Sequence, residues 1–216
     1  HMFGNIPSSR GQYELFLKNE SKANQCIECG KCEALCPQNI PIRDMLKEVT
    51  KTFAREIYLA GGCFWGLEEY FSRIKGVLET IVGYANGAMD HPTYEDVCSS
   101  ESGYAETVLV RYDPTVVSLP FILEMYLKVV DPFSVNRQGG DTGPQYRTGI
   151  YYSDPVEEKA IKEVLAKVEE EHKKPVAIEC EPLHNFYNAE AYHQDYLKKN
   201  PHGYCHIGED KFQLAE

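Results

Sequence analysis

No run of about 18 apolar residues occurs anywhere in the 216-residue chain, so no helix of membrane-spanning length is expected. Positive charge is also scarce. Lysine and arginine number 22 against 33 aspartates and glutamates, for a net charge of −11. Such a chain repels phosphate backbones and anionic lipid, which argues against a nucleic-acid or membrane-surface role. No internal repeat is visible. The opening residues, His1-Met2-Phe3-Gly4-Asn5-Ile6-Pro7, lack the apolar core of a secretory signal. Eight cysteines without such a signal point to metal or redox chemistry in a reducing, cytoplasmic setting, not to a disulfide framework. What is present suffices for a packed core, since 43% of residues are hydrophobic. The length suits one ordinary domain plus something small.

One stretch organises the chain: Gly61-Gly62-Cys63-Phe64-Trp65-Gly66, approached from Glu56-Ile57-Tyr58-Leu59-Ala60. The approach reads as a strand. Beyond it Phe64, Leu67, Phe71 and Ile74 recur at spacings of 3, 4 and 3, the period of a helix. The glycines supply a tight turn and close backbone approach. Cys63 therefore sits at a helix N-terminus, where unsatisfied N–H groups and the dipole favour a thiolate. The competing reading is a buried structural cysteine.

In Tyr104–Tyr112 side chains alternate between two faces, which puts Glu106 with Val108, Val110 and Tyr112. A carboxylate on that stripe is desolvated and its pKa should rise, making it a general acid if a nucleophile is near. A residue that snorkels to water at the sheet edge is the alternative.

Cys26, Cys29, Cys32 and Cys36 follow the spacing C-x2-C-x2-C-x3-C, with Pro37 next. That spacing matches bacterial [4Fe–4S] ligation, because short turns wrap four thiolates around one compact group. Zinc and no metal at all remain as alternatives; structural zinc more often uses two separated pairs. The identity of the fourth ligand is open, because in two-cluster ferredoxins the last cysteine of such a run serves the other cluster.

The remaining pattern gives helices at 13–24 and 43–51, strands at 57–60 and 77–84, and a long loop over 85–103. Further on come a helix from Ser118 to about Val130, a strand Thr148–Tyr152 and a helix opened by Asp154-Pro155. A strand at 175–180 and a helix at 187–199 complete it. This order predicts an α+β two-layer sandwich with a mixed sheet, preceded by a small cysteine-rich helical module. The expected division is 1–53 for the module and 54–216 for the catalytic domain.

Together with Thr80–Gly87, Pro92–Cys98, Gly103-Tyr104-Ala105-Glu106, Asn136–Asp141, Gln145-Tyr146-Arg147 and Phe186 through Cys205, the Cys63 stretch resembles the peptide methionine sulfoxide reductase A family in its motif order. Residues 1–53 resemble instead a ferredoxin-type cysteine motif. The first resemblance implies reduction of methionine S-sulfoxide, free or in proteins, with Cys63 as nucleophile and Glu106 as acid. It implies Tyr94 and Tyr146 as donors to the sulfoxide oxygen, Phe64 and Trp65 as walls for the substrate methyl, and Asp141 as a substrate-positioning residue. Cys205 is implied as the resolving thiol that converts a Cys63 sulfenic acid into a disulfide, and a thioredoxin-like dithiol as the reductant. Tyr104 stands where the family usually has histidine. The reductase chemistry itself needs no cofactor. Dimerisation is left open. The contrasting reading is an iron–sulfur electron-transfer or redox-sensing protein whose N-terminal module regulates the reductase domain.

Overall fold

The computed structural model describes residues 6–99 and 101–215, so residues 1–5 of the expected N-terminal module lie outside the described part. The chain opens with three helices, α1 (Ile6–Phe16), α2 (Lys31–Leu35) and α3 (Ile42–Phe53). It continues through β1 (Arg55–Gly61), α4 (Phe64–Ser72), β2 (Val77–Ala85), α5 (Tyr94–Cys98) and β3 (Ala105–Tyr112). Then come α6 (Leu119–Leu127), a short hairpin β4 (Arg137–Gln138) and β5 (Asp141–Thr142), β6 (Thr148–Tyr152) and α7 (Pro155–His172). The chain closes with β7 (Glu179–Pro182), β8 (Phe186–Asn188), α8 (Tyr196–Lys199) and α9 (Glu209–Phe212).

Six strands make one mixed sheet in the order β7-β6-β1-β3-β2-β8. Among the described residues only its β6–β7 pair is parallel. The alternation of each strand sends Ile57, Leu59, Val82, Tyr84, Val108, Val110 and Ile150 to one face, where they pack with Phe64, Leu67 and Phe71 of α4, Ile122 of α6 and Ile161 of α7. The other face, with Tyr58, Ala60, Leu109 and Tyr151, is covered by Leu183 and Phe186. The expected α+β two-layer mixed-sheet class is thus observed. Among the described residues no helix is long and apolar enough to cross a membrane.

Four local expectations are corrected. The helix expected over 13–24 ends at Phe16, because the Tyr13 hydroxyl takes the Ala23 N–H at 2.5 Å and the chain turns back in short 3-10 pieces. The loop 85–103 contains α5, nucleated by a capping box in which Thr93 and Asp96 bond reciprocally. The strand expected from Pro175 starts only at Glu179, since the Ala177 N–H bonds to the Pro132 carbonyl at 2.7 Å. The helix expected over 187–199 is broken. Its first residues form β8, and Gln194 bonds both backbone groups of Val82 at 3.0 and 2.8 Å, which diverts the segment onto β2.

The N-terminal segment meets the end of the sheet remote from Cys63 through α1 and the 3-10 turn Ala23–Gln25. Arg10 donates to the Ala54 carbonyl at 2.9 Å, and Glu14 meets Arg55 at 3.4 Å, where β1 begins. Asn24 donates to Asp113 and Thr115 just beyond the end of β3, at 2.8 and 2.7 Å. The six steps from Arg55 to Gly61, at about 3.3 Å each, put roughly 20 Å between this contact and the turn that bears Cys63.

Candidate active site

Strand β1 delivers Gly61 and Gly62 to the sheet's end, and the chain turns into α4 with Cys63 as its N-cap. Gly62 has φ +81, a conformation that favours glycine. Cys63 is 7% exposed. Burial pushes its thiol well up, and the nearby Glu106 carboxylate adds to this, while the Trp65 N–H pulls the other way. Desolvation thus outweighs the helix N-terminus, and the expected resting thiolate is replaced by a protonated thiol.

Glu106 does not reach water. It is 1% exposed on the helix-covered face of β3, opposite Tyr84 of β2. The Phe64 N–H donates to Glu106 Oε2 at 3.1 Å. Burial pushes the Glu106 carboxyl up to about 8, only partly opposed by that hydrogen bond. A neutral carboxyl with one oxygen accepting from Phe64 keeps its O–H available as an acid beside Cys63.

The other expected residues converge on this pair. Tyr94 opens α5, and Tyr146 ends the 3-10 turn Pro144–Tyr146. Burial holds both phenols protonated; the charge of Glu106 acts on each, and Cys63 also on Tyr146. Asp141 lies on β5, and its charge reaches both Cys63 and Glu106. The hairpin holding it is anchored by Gln138, whose side-chain amide accepts from and donates to the backbone of Asp131 at 2.8 and 2.9 Å. Cys205 sits against α4, with Sγ 3.0 Å from where a Cβ on Gly66 would stand. Phe64 is buried, and Trp65 stacks on Tyr196 with centroids 3.7 Å apart.

The remaining cysteines divide by place. Cys98 bonds the Tyr94 hydroxyl and feels Glu106, at the edge of this cluster. Cys180, on β7, faces Lys162 and Glu158 of α7 instead. Cys26, Cys29, Cys32 and Cys36 are half-buried or exposed free thiols at the other end of the molecule. Left-handed Glu28 and Gly30 reverse the chain between them. Among the described residues no three His, Cys, Asp or Glu groups converge on one metal position. The donor chemistry, four unpaired soft thiols in one short loop, fits an iron–sulfur cluster.

Three residues central to the site escape sequence reasoning. Glu190 accepts from the Tyr84 hydroxyl at 2.8 Å and from the Tyr94 N–H at 2.9 Å, fixing α5 to β2. His193 is 2% exposed, accepts the Trp65 indole N–H at 3.1 Å, and lies among the rings of Phe64, Tyr94 and Tyr192. Burial pulls its pKa down, so it is a neutral post that orients Trp65. His206 is the third, with Nε2 3.1 Å from where a Cβ on Gly62 would stand. The only signal for the first two is the run Glu190-Ala191-Tyr192-His193, polar residues spaced through a segment that reads as helix.

Comparison with known proteins follows the same division. Residues 55–215 match the family described as peptide methionine sulfoxide reductase, and residues 8–41 match a 4Fe-4S dicluster domain. The chain is 54% identical over 162 residues to peptide methionine sulfoxide reductase MsrA of Lachnoclostridium phytofermentans, covering 75% of this chain and 98% of that one. It is 52% identical to the MsrA of Clostridium botulinum strain Okra, over 71% of this chain and 98% of that one. Among solved structures, reduced Mxr1 from Saccharomyces cerevisiae superposes with TM-score 0.67 at 36% identity, covering 70% of this chain and 88% of that one. Methionine sulfoxide reductase A of Corynebacterium diphtheriae gives 0.66 at 36% identity, over 70% and 77%.

Proposed function

The chain belongs to the peptide methionine sulfoxide reductase family and reduces methionine sulfoxide by thiol chemistry, and we propose that Cys63 is the attacking sulfur, Glu106 the acid and Cys205 the resolving thiol. Cys63 sulfur attacks the sulfoxide sulfur. Glu106 gives its proton to the oxygen, with Tyr94 and Tyr146 as further donors. Methionine departs and the oxygen stays on Cys63 as a sulfenic acid. Cys205 then displaces water to form the Cys63–Cys205 disulfide, which a thioredoxin-like dithiol reduces. Phe64 and Trp65 wall the substrate methyl, and Asp141 positions the substrate. The substrate is the S epimer, free or in proteins. The observation that carries this reading is a buried carboxyl, neutral below about pH 8, hydrogen-bonded to the first turn of the helix that Cys63 caps.

The test is Cys63→Ser. Serine is close in volume but a far weaker nucleophile at neutral pH, so sulfoxide reduction should vanish with the fold unchanged by circular dichroism. Retained turnover removes Cys63 from its role.

We further propose that residues 1–53 form a separate cluster-binding module, with 54–216 as the catalytic unit. Cys26, Cys29, Cys32 and Cys36 would hold a [4Fe–4S] cluster, which stores one electron when bound. The module's seat on the far end of β1 favours a structural or sensory role over direct donation to Cys63 and Cys205 within one chain. An anaerobic experiment decides: reduce the cluster in disulfide-form enzyme and follow free thiols. Thiols that appear as the cluster reoxidises would establish donation.

A further inference from the structure

Trp65 and Glu68 stand three residues apart on α4, so their side chains lie one above the other on the same face of the helix. The segment that carries α8 meets both. The Tyr196 ring stacks on Trp65, with 3.7 Å between centroids and 14° between planes. The backbone N–H groups of Asp195 and Tyr196 face the Glu68 carboxyl. One face of α4 thus grips the start of α8 at two points, one apolar and one polar.

Alone, α8 has little to hold it. It is four residues long, and a single helical turn is not stable by itself. Asp195 occupies its N-cap position but makes no capping bond, and pairs instead with Lys198 at 2.7 Å. Asp195 also has φ +50, the left-handed region that strains a residue with a Cβ. The N–H groups that open a helix have no partner within it. Glu68 offers them one. It is 2% exposed, and burial pushes its carboxyl up to about 7 against the pull of those two N–H groups. A carboxyl buried this deeply costs stability unless it is bonded, and what it meets is the start of α8.

We propose that Glu68 is a positioning residue for substrate: its carboxyl holds the N–H groups that begin α8, and through Tyr196 it fixes Trp65 in the wall that receives the substrate methyl. This rests on the assignment of Trp65 to that wall. Trp65 then has two supports. His193 takes its indole N–H at 3.1 Å and fixes the ring edge, while Tyr196 covers the ring face. Glu68 acts at a distance from the chemistry. The charges that bear on Cys63 are those of Glu106, Asp141 and Cys205. Its task needs an acceptor oxygen of the right reach and no proton transfer.

Trp65 is the single tryptophan of the chain, so intrinsic fluorescence reads this ring alone. The experiment measures acrylamide quenching of Trp65 and, in a Cys63→Ser background that binds without turnover, the dissociation constant of methionine sulfoxide. Glu68→Ala should raise quenching and weaken binding on the order of 10-fold, the low end of what one lost methyl-sized contact costs in an apolar pocket. Methionine release at saturating substrate, measured with Cys63 present, should change far less, because a contact to the methyl is made in the ground state and the transition state alike. Glu68→Gln should keep both readouts as in the unaltered chain, since an amide oxygen of the same reach still accepts an N–H. Glu68→Asp, one methylene shorter, should fall between the two, and it carries the test if Glu68→Ala does not fold. Tyr196→Leu should reproduce the loss, and adding Glu68→Ala to it should weaken binding little further. Unchanged quenching and binding in Glu68→Ala or Glu68→Asp, or losses that simply add in the double variant, overturn the proposal. If Tyr196→Leu raises quenching while binding stays as it was, Trp65 is not the methyl wall. In that case the assignment beneath the proposal fails, and the effect on affinity falls with it.

Discussion

The Phe64 N–H donates to Glu106 Oε2 at 3.1 Å across 42 residues of sequence, tying the Glu106 carboxyl on β3 to the first helical residue after Cys63. The proposed nucleophile and the proposed acid are therefore held on segments joined by a direct hydrogen bond. The same bond leaves the second carboxyl oxygen to bear the proton that burial retains.

Glu106→Gln should lower the chemical step on the order of 10²–10⁴-fold with little change in KM, because the proton is needed only as the S–O bond breaks. In the unaltered enzyme the acid form exists below about pH 8 and is lost above it, so methionine formation should fall as pH rises through that value. A stability signature accompanies it. The folded pKa of Glu106 lies above its ordinary value of 4.5, so its contribution is fully present below about 4.5 and lost as pH rises through about 8. The thermal midpoint of the unaltered chain minus that of the variant should decline across this window.

Cys205→Ser should release one equivalent of methionine in a single turnover and then stall. Steady-state cycling with thioredoxin should slow strongly, as measured by methionine produced over many turnovers. Unchanged cycling would point to Cys98, which adjoins Tyr94, rather than to Cys180, which faces α7.

Gly66→Ala should act on the resolving step. The added Cβ would stand 3.0 Å from Cys205 Sγ and 3.2 Å from the Ile207 side chain, so the tail must shift. The shift needed is a few tenths of an ångström, less than the about 1 Å that costs a reacting group on the order of 10²-fold. Disulfide formation in quenched single turnovers should therefore slow by less than that order, but by more than methionine release does.

Loss of iron should act on the module alone. Anaerobic purification should yield iron and sulfide bound through Cys26, Cys29, Cys32 and Cys36. Chelation should lower the thermal midpoint, while kcat with a small dithiol reductant stays essentially unchanged, because the module contacts Ala54, Arg55, Asp113 and Thr115 at the far end of the sheet.

Much of the site is legible in the amino-acid order alone. A strand, two glycines, a cysteine and a helical stripe put Cys63 at a helix start, and period-two alternation puts Glu106 on the buried face. Both are local geometry, in which neighbouring residues determine one another's direction. The four-cysteine spacing is local in the same sense.

Tertiary structure decided the rest. Glu190 reaches Tyr84 across 106 residues, and Gln194 reaches Val82 across 112; such bonds leave no period in the sequence, and they broke an expected helix over 187–199 into β8, a run of turns and the short α8. Burial decided the charge of Cys63, since the depth of the turn outweighed the helix terminus that the sequence made visible. The seats of Cys205 and His206 beside Gly66 and Gly62, and the position of the cysteine module at the opposite end of β1, depend on how distant segments pack, and the amino-acid order by itself holds no distance.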